Sequence, residues 1–491
     1  MWKRISNMKS GRLMTLNPVI GILIIFLLAL NSRAVYAQNN KQPNVLFIIS
    51  DQWSPKISDG SGNYSTGIRT PNIDKLAEQG MRFTKSYCNF PLCTPARASI
   101  YTGLYPHNHG MIDNEEIFKI FLDKYPNRHD ISTMGEVFKK AGYETAYIGK
   151  EHAGDYAYRG IDHYGSYKMS AGGMLGEGSG YDPVFTTDAI NFIKREHNKP
   201  FFMTLSLINP HDICKVLGGK VKGATFADAL FFCRTDDELY LRYQERPDVP
   251  ENFDKPFIPG MINENSYMFE DLGDWDENEW RRYISTYCLL VENTDRLIGY
   301  VIDALEDAGL TENTIVVFTS DHGEMMGGHQ LISKNILYEE SVRTPFILRY
   351  PEKVKAGSVD DKTIFGSIDI MPTLLDLCDV SVPENMDGKS FKSRCLGGTD
   401  GEFEYLFSQI HEGRMLRFGD FKYVRSIYKV EQFDVLIDLK NDPKETQNVF
   451  MKPGYEATSK FASKKLDKWL SVEKLEVTTS RDFMNLPIKN K

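Results

Sequence analysis

Hydrophobic positions along this chain alternate between two periods. Short apolar runs, rich in β-branched and aromatic residues, occupy 45–49 (VLFII), 143–148 (YETAYI), 201–208 (FFMTLSLI) and 314–319 (TIVVFT). A strand covered on both faces has no polar side, so unbroken runs of this length predict buried strands. Between them the period lengthens to that of a helix. Residues 131–140 start beside Ser132 as a cap and stop before Gly142, and 285–308 form a long amphipathic stretch closing at Gly309. Strands alternating with helices predict an α/β fold, a large mixed, mostly parallel sheet sandwiched by helices. Beyond about 380 the pattern changes. Strand-like runs at 405–409, 415–418 and 421–424 are separated by Gly and Asp turns, and a Lys-rich helical stretch follows near 457–472. These predict a smaller C-terminal α+β subdomain with an antiparallel sheet. Residues 214–266 have little periodicity and several prolines, as in an irregular insertion that shapes substrate choice. Internal repeats and low-complexity tracts are absent from the sequence.

The first 37 residues follow neither period. Lys3, Arg4, Lys9 and Arg12 precede an apolar run from Val19 to Leu30, and Val35 and Ala37 are small residues at the positions a signal peptidase reads. The run is too short to span a bilayer comfortably, so it is expected to be a cleaved signal peptide. No cysteine follows it for lipidation, and no later stretch is apolar enough to suggest stable membrane insertion. The expected organisation is therefore a signal peptide at 1–37, a catalytic domain at 38–380 and the C-terminal subdomain at 381–491, in a protein that is secreted or periplasmic.

Composition narrows the function classes. With 41% hydrophobic residues in 491, the chain is not disordered. It has 58 Lys+Arg against 67 Asp+Glu, a formal charge of −9, and no long basic run, which argues against a nucleic-acid partner. Seven cysteines are too few for a disulfide scaffold. What remains is a large globular enzyme, and its 12% aromatic content is compatible with a sugar-facing cleft.

Candidate chemistry gathers where the strands stop. The four runs lead into Asp51, Lys150, His211 and Asp321-His322. Ligands of parallel α/β sheets collect at the carboxyl ends of strands, so one shared site is expected. The stretch Cys93-Thr94-Pro95-Ala96-Arg97 adds a further element. Pro95 suits the first turn of a helix, which places Cys93 at a helix N-terminus, where free N–H groups favour an anion. Arg97, one turn on, offers a bidentate fork for oxyanions.

C-T-P-A-R resembles the C-x-P-x-R signature of the formylglycine-dependent sulfatases of the alkaline phosphatase superfamily. Further stretches resemble that family in order along the chain. They are PNVLFIISDQ at 43–52, TPNIDKLA at 70–77, GYETAYIGKEH at 142–152, NPHD at 209–212, TSDHGE at 319–324, KNILYEESVRTP at 334–345 and LIDLKNDPKET at 436–446. The resemblance implies an alkaline-phosphatase-like fold and a sulfuric ester hydrolase. It implies that a separate maturation enzyme oxidises Cys93 to formylglycine, whose hydrate attacks the sulfur of a sulfate ester. It also implies one Ca²⁺ per chain held by Asp51, Gln52, residue 93, Asp321 and His322. Hard oxygen donors suit Ca²⁺ or Mg²⁺, and the imidazole also admits Mn²⁺ or Zn²⁺. Gln52 stands where many members have a second Asp, and His322 where many have Asn. Arg97, Lys150, His152, His211 and Lys334 match the remaining catalytic positions. By resemblance, Lys150 and Lys334 neutralise sulfate oxygens and Arg97 orients the formylglycine. His152 assists the diol proton step, and His211 protonates the departing alcohol.

The expected substrate is a sulfated glycan. Two alternatives stand beside it: a phosphonate monoester or phosphodiester hydrolase with the same signature, and a non-catalytic glycan-binding relative. His107 and His109 are expected in a turn near the pocket rim rather than as metal ligands. With Cys93 modified, six cysteines remain, paired or free. Removing residues 1–37 takes away Lys3, Arg4, Lys9, Arg12 and Arg33 and no acid, so −9 becomes −14. Attraction of an anionic substrate is then expected to be local rather than global.

Overall fold

The computed structural model describes residues 42–60, 67–114, 129–169, 177–214, 247–262, 275–401, 403–429, 431–475 and 477. The expected signal peptide lies outside them, as does most of the 214–266 insertion. Residues 247–262 of that insertion are irregular apart from one 3₁₀ turn at Pro259–Met261.

All four predicted runs are strands: β1 (Asn44–Asp51), β4 (Glu144–Lys150), β6 (Phe201–Pro210) and β7 (Thr314–Ser320). With β2 (Met81–Phe83), β5 (His163–Met169), β8 (Phe346–Arg349) and β9 (Ser358–Asp360) they form an eight-stranded sheet in the order β5-β4-β6-β1-β7-β8-β2-β9. Only β8 runs against the rest. The central strand is paired on both sides, Ile48 lying opposite Leu205 of β6 and Phe318 of β7. A short β3 (Ser86–Tyr87) pairs with β10 (Phe365–Gly366).

Side chains alternate across a strand, and the two faces of β1 bury different partners. Leu46 and Ile48 pack with α1 (Pro71–Gln79), α4 (Glu177–Lys194) and α5 (Glu277–Asp307) through Ile73, Phe185, Leu290 and Val301. Val45, Phe47 and Ile49 pack on the other side with α2 (Cys93–Thr102), α3 (Met134–Lys140) and α6 (Ile370–Leu377) through Ile100, Phe138 and Leu374. Helix α3 starts later than its pattern suggested because Thr133, not Ser132, forms the capping box with Glu136. Helix α5 starts earlier, at a second capping box made by Asp276 and Glu279.

The C-terminal sheet has four antiparallel strands: β11 (Tyr405–Gln409), β12 (Gly413–Phe418), β13 (Phe421–Tyr428) and β14 (Glu431–Asp438). The alternating pattern identified three of them; β14 opens with exposed Glu431 and Gln432, which hide its apolar second half. One face, carrying Met415, Val424 and Val435, packs on Tyr87, Leu92, Met325 and Leu337. The other, carrying Leu416, Tyr423 and Leu436, is covered by Leu466 and Trp469 of α7 (Glu456–Glu473). The described residues from 43 onward accordingly form one compact unit. Among the described residues no helix is long and apolar enough to cross a membrane.

Phe318, at the sheet centre, meets the Trp53 ring edge-on at 5.0 Å. Phe318→Ala is expected to lower unfolding free energy by about 3–5 kcal/mol in urea titrations, with an unchanged m-value.

Candidate active site

The register of the central strands creates the site. Ser50 of β1 lies opposite Ser320 of β7, so the next residues, Asp51 and Asp321, leave the sheet side by side. Both side chains are fully buried. Two carboxylates so placed repel each other, and Arg97 from the second turn of α2 lies between them. Its Nε donates to Asp321 Oδ2 at 2.7 Å and its Nη2 to Asp51 Oδ2 at 3.2 Å. Its Nη1 donates to Ser206 Oγ at 2.7 Å and to the Lys150 carbonyl at 3.2 Å. The fork expected to offer itself to an oxyanion is given to these two carboxylates.

Cys93 is the first residue of α2. Its Sγ lies 3.3 Å from His322 Nε2 and 3.7 Å from Asp51 Oδ1. The other ring nitrogen of His322, Nδ1, donates to the Gly323 carbonyl at 2.9 Å, which turns Nε2 toward the cluster. Donor atoms of Asp51, Cys93, Asp321 and His322 all lie within 4.8 Å of one another. Burial and the Asp51 carboxylate push the Asp321 carboxyl up, against the pull of His322 and Arg97. The donor set therefore suits a divalent cation, which these four residues can hold. Gln52, expected among the ligands, gives its amide oxygen to Lys334 Nζ at 2.5 Å, with Cys214 Sγ 3.5 Å from the same atom.

Both lysines reach the site. Lys150 Nζ lies 2.7 Å from Asp51 Oδ2, and Lys334 Nζ 3.9 Å from Asp51 Oδ1. Burial pushes the Asp51 carboxyl up, yet Lys150, His211, Lys334 and Arg97 outweigh it and hold the group well below the usual range. Burial and Asp51 likewise push the Cys93 thiol up, and Lys334, Lys150 and His322 bring it well below an ordinary thiol. His211 sits just past β6, buried, with no hydrogen-bond partner on Nδ1. Burial together with Lys334 and Lys150 pushes it down to about 4, so its imidazole is neutral at pH 7. His152 lies two residues beyond β4, half-buried, also with an unpartnered Nδ1. No hydrogen bond or ion pair joins His152 to the cluster among the described residues.

The backbone around these groups is strained. Gln52, His152, Ser333 and Asn335 are left-handed, at φ 70°, 46°, 67° and 66°, so three of the segments that carry site residues store about 1–3 kcal/mol per position. Gly149, before Lys150, has φ 112°, and a Cβ there would stand 1.9 Å from the Ser206 carbonyl oxygen.

Sequence reasoning passed over three buried residues behind the site: Glu324, Tyr283 and Tyr287. Glu324 accepts from Gln52 Nε2, and Tyr287 Oη donates to the Gln52 carbonyl at 2.5 Å. The signal for Glu324 was its place three residues after Asp321; two tyrosines at helical spacing read as core. His107 and His109 occupy a single helical turn, Pro106–His109, bonded to Gln409 and Glu473 and to Ser99. All six described cysteines are free thiols; Cys233 lies outside the described residues.

Comparison with known proteins agrees with this geometry. Residues 43–380 match the sulfatase family model, and 327–471 match that of the N-sulphoglucosamine sulphohydrolase C-terminal region. The chain belongs to the sulfatase family and is a sulfuric ester hydrolase. It is 29% identical to an N-acetylglucosamine-6-O-sulfatase of Bacteroides thetaiotaomicron, over 92% of this chain and 89% of that protein. Its fold is similar to that of a 2-O glycosaminoglycan sulfatase (TM-score 0.72, 24% identity, 91% of this chain and 97% of that one). It is similar also to the phosphonate monoester hydrolase of Agrobacterium radiobacter (TM-score 0.67, 20% identity, 88% and 96% covered). The fold alone does not assign the chemistry.

The His211 shift carries a pH signature. Between its unfolded value near 6.5 and about 4, the unfolded chain binds a proton that the folded chain refuses, so acid weakens the fold. The melting temperature of the wild type is expected to fall relative to His211→Gln as pH drops from 6.5 to 4. Above pH 7 the difference is expected to be flat.

Proposed function

We propose that the protein removes sulfate from a sulfated glycan, using Cys93 matured to formylglycine and a Ca²⁺ held by Asp51, Asp321, His322 and residue 93. The observation that carries this reading is the Cys93 side chain itself. It opens a helix whose first turns are buried, and it faces a cation-suited donor set with two buried lysines beside it. A serine nucleophile would be left as a stable sulfate ester, whereas an aldehyde hydrate has a second hydroxyl through which sulfate can be released. A cation held by these residues would supply polarisation of a sulfate oxygen.

The chain's own residues do the rest. Lys150 and Lys334 bring positive charge to the sulfate oxygens in a site from which water is excluded, where such charge acts most strongly. Arg97 holds the two carboxylates in register. His211, neutral in the resting site, gains proton affinity when the ester anion sits beside it. It takes up a proton from solvent as the substrate enters and delivers it to the departing alcohol oxygen. His152 takes up a proton at Nδ1 as the covalent ester is resolved. The net charge, −9 for the whole chain and −14 without residues 1–37, repels anionic glycans at long range, so capture rests on this local positive field. The glycan reading is supported by the relatives, which act on N-acetylglucosamine 6-O-sulfate and glycosaminoglycan 2-O-sulfate by their names. Export directed by residues 1–37, with their cleavage near Ala37, fits the apolar run at 19–30 and a polymeric extracellular substrate.

Mass spectrometry of the tryptic peptide Ser86–Arg97 from the native host tests the nucleophile, with Cys88 as internal control. Oxidation confined to Cys93 is expected, and Cys93→Ala is expected to cut kcat at least about a thousand-fold. Turnover of an aryl sulfate should exceed that of an aryl phosphonate or phosphodiester; the reverse preference would overturn the sulfatase assignment of this site. Chelation by EDTA is expected to abolish turnover, with Ca²⁺ restoring it better than Mg²⁺ or Mn²⁺.

A further inference from the structure

Glu324 takes no part in the chemistry above, yet its side chain is fully buried and, among the described residues, each of its hydrogen bonds comes from a donor. Oε1 accepts from Tyr283 Oη at 2.7 Å, from the Ser333 N–H at 2.6 Å and from the Met326 N–H at 3.4 Å. Oε2 accepts from Gln52 Nε2 at 2.5 Å. Among the described residues no lysine, arginine or histidine forms an ion pair with it. A buried carboxylate without a cation is costly, so what it holds in place is informative.

What it holds is one end of an amide. The other end, Gln52 Oε1, accepts from Lys334 Nζ at 2.5 Å. Glu324 acts as acceptor in each of its hydrogen bonds and an ammonium can only donate, so one of the two flip states of Gln52 satisfies both neighbours and the other satisfies neither. The amide dipole also lies along the line between the two charges, negative end toward Lys334. The Gln52 main chain is clamped separately: its N–H donates to Asp321 Oδ1 at 3.0 Å and its carbonyl accepts from Tyr287. Tyr283 and Tyr287 stand one turn apart on α5, so a single helix face secures both clamps.

We propose that Glu324 is a positioning residue for Lys334. By fixing the Gln52 amide it holds the ammonium of a long, flexible side chain at the anion seat. The inference rests on the sulfatase reading for the identity of that anion.

Three variants test it: Glu324→Gln, Gln52→Glu, and the exchange of both. Calcium-loaded Glu324→Gln is expected to raise KM for an aryl sulfate about ten-fold or more, with a smaller change in kcat. It should weaken inorganic sulfate, measured by calorimetry, by the same factor, while bound calcium measured by elemental analysis stays at the wild-type ratio. Gln52→Glu sets two carboxylates against each other and should lose more. The exchange restores a donor opposite an acceptor and should recover part of that loss. Wild-type KM and sulfate affinity in Glu324→Gln, or an exchange no better than Gln52→Glu, would overturn the proposal; the second comparison decides if Glu324→Gln does not fold. A wild-type protein that turns over no sulfate ester would instead overturn the sulfatase reading, and calorimetry with sulfate would still report on Glu324.

Discussion

The guanidinium of Arg97 between Asp51 and Asp321 is the contact on which the rest of the site depends. Strand register forces the two aspartates together, and their burial removes the water that would otherwise screen them. Without a fixed cation between them, one carboxylate would protonate or the strand ends would part. Arg97 also takes Ser206 and the Lys150 carbonyl, so one side chain from α2 ties together the ends of β1, β4, β6 and β7. Cys93 lies one turn before Arg97 on the same helix, and its position follows from that anchorage.

The C-terminal sheet serves the same end from outside. Its inner face packs on Tyr87, Cys88 and Leu92, the segment leading into Cys93, and on Met325, Leu331 and Leu337, which flank Lys334. A cysteine on a helix N-terminus and a lysine on an irregular loop both need support that the parallel sheet does not provide. The left-handed residues on either side of Lys334 would relax if that packing were absent. This explains why the smaller sheet is continuous with the larger body rather than a separable appendage.

Charge is organised at two scales. The whole chain is acidic, while the site concentrates Arg97, Lys150 and Lys334 around two aspartates. Arg97 and Lys150 are engaged by those aspartates, and Lys334 is engaged chiefly by a neutral amide. Of the three cations, Lys334 has the least of its field cancelled by a partner in direct contact. Long-range repulsion with short-range capture favours substrates that reach the site through contacts along a chain, as a glycan does.

How much of this was legible in the sequence differs by element. The four central strands announced themselves because strands covered on both faces read as unbroken apolar runs. Their polar ends marked Asp51, Lys150, His211, Asp321 and His322 because parallel sheets place ligands there. Strand β14 escaped because its exposed first half breaks the alternation, and helix starts moved by one residue or several because capping depends on side-chain geometry. Cys93, Arg97 and Lys334 were legible through their motifs as residue types, but not their partners. That Arg97 would face carboxylates rather than an oxyanion, and that Gln52 would turn to Lys334, depended on neighbours more than two hundred residues away. The sequence by itself determined the layered α/β architecture, the Cys93–Arg97 motif and the family, because periodicity and short motifs are local. Tertiary structure alone decided which charges cancel, which amide end faces the lysine and what Glu324 holds, because those follow from strand register and the packing of α5 behind the site.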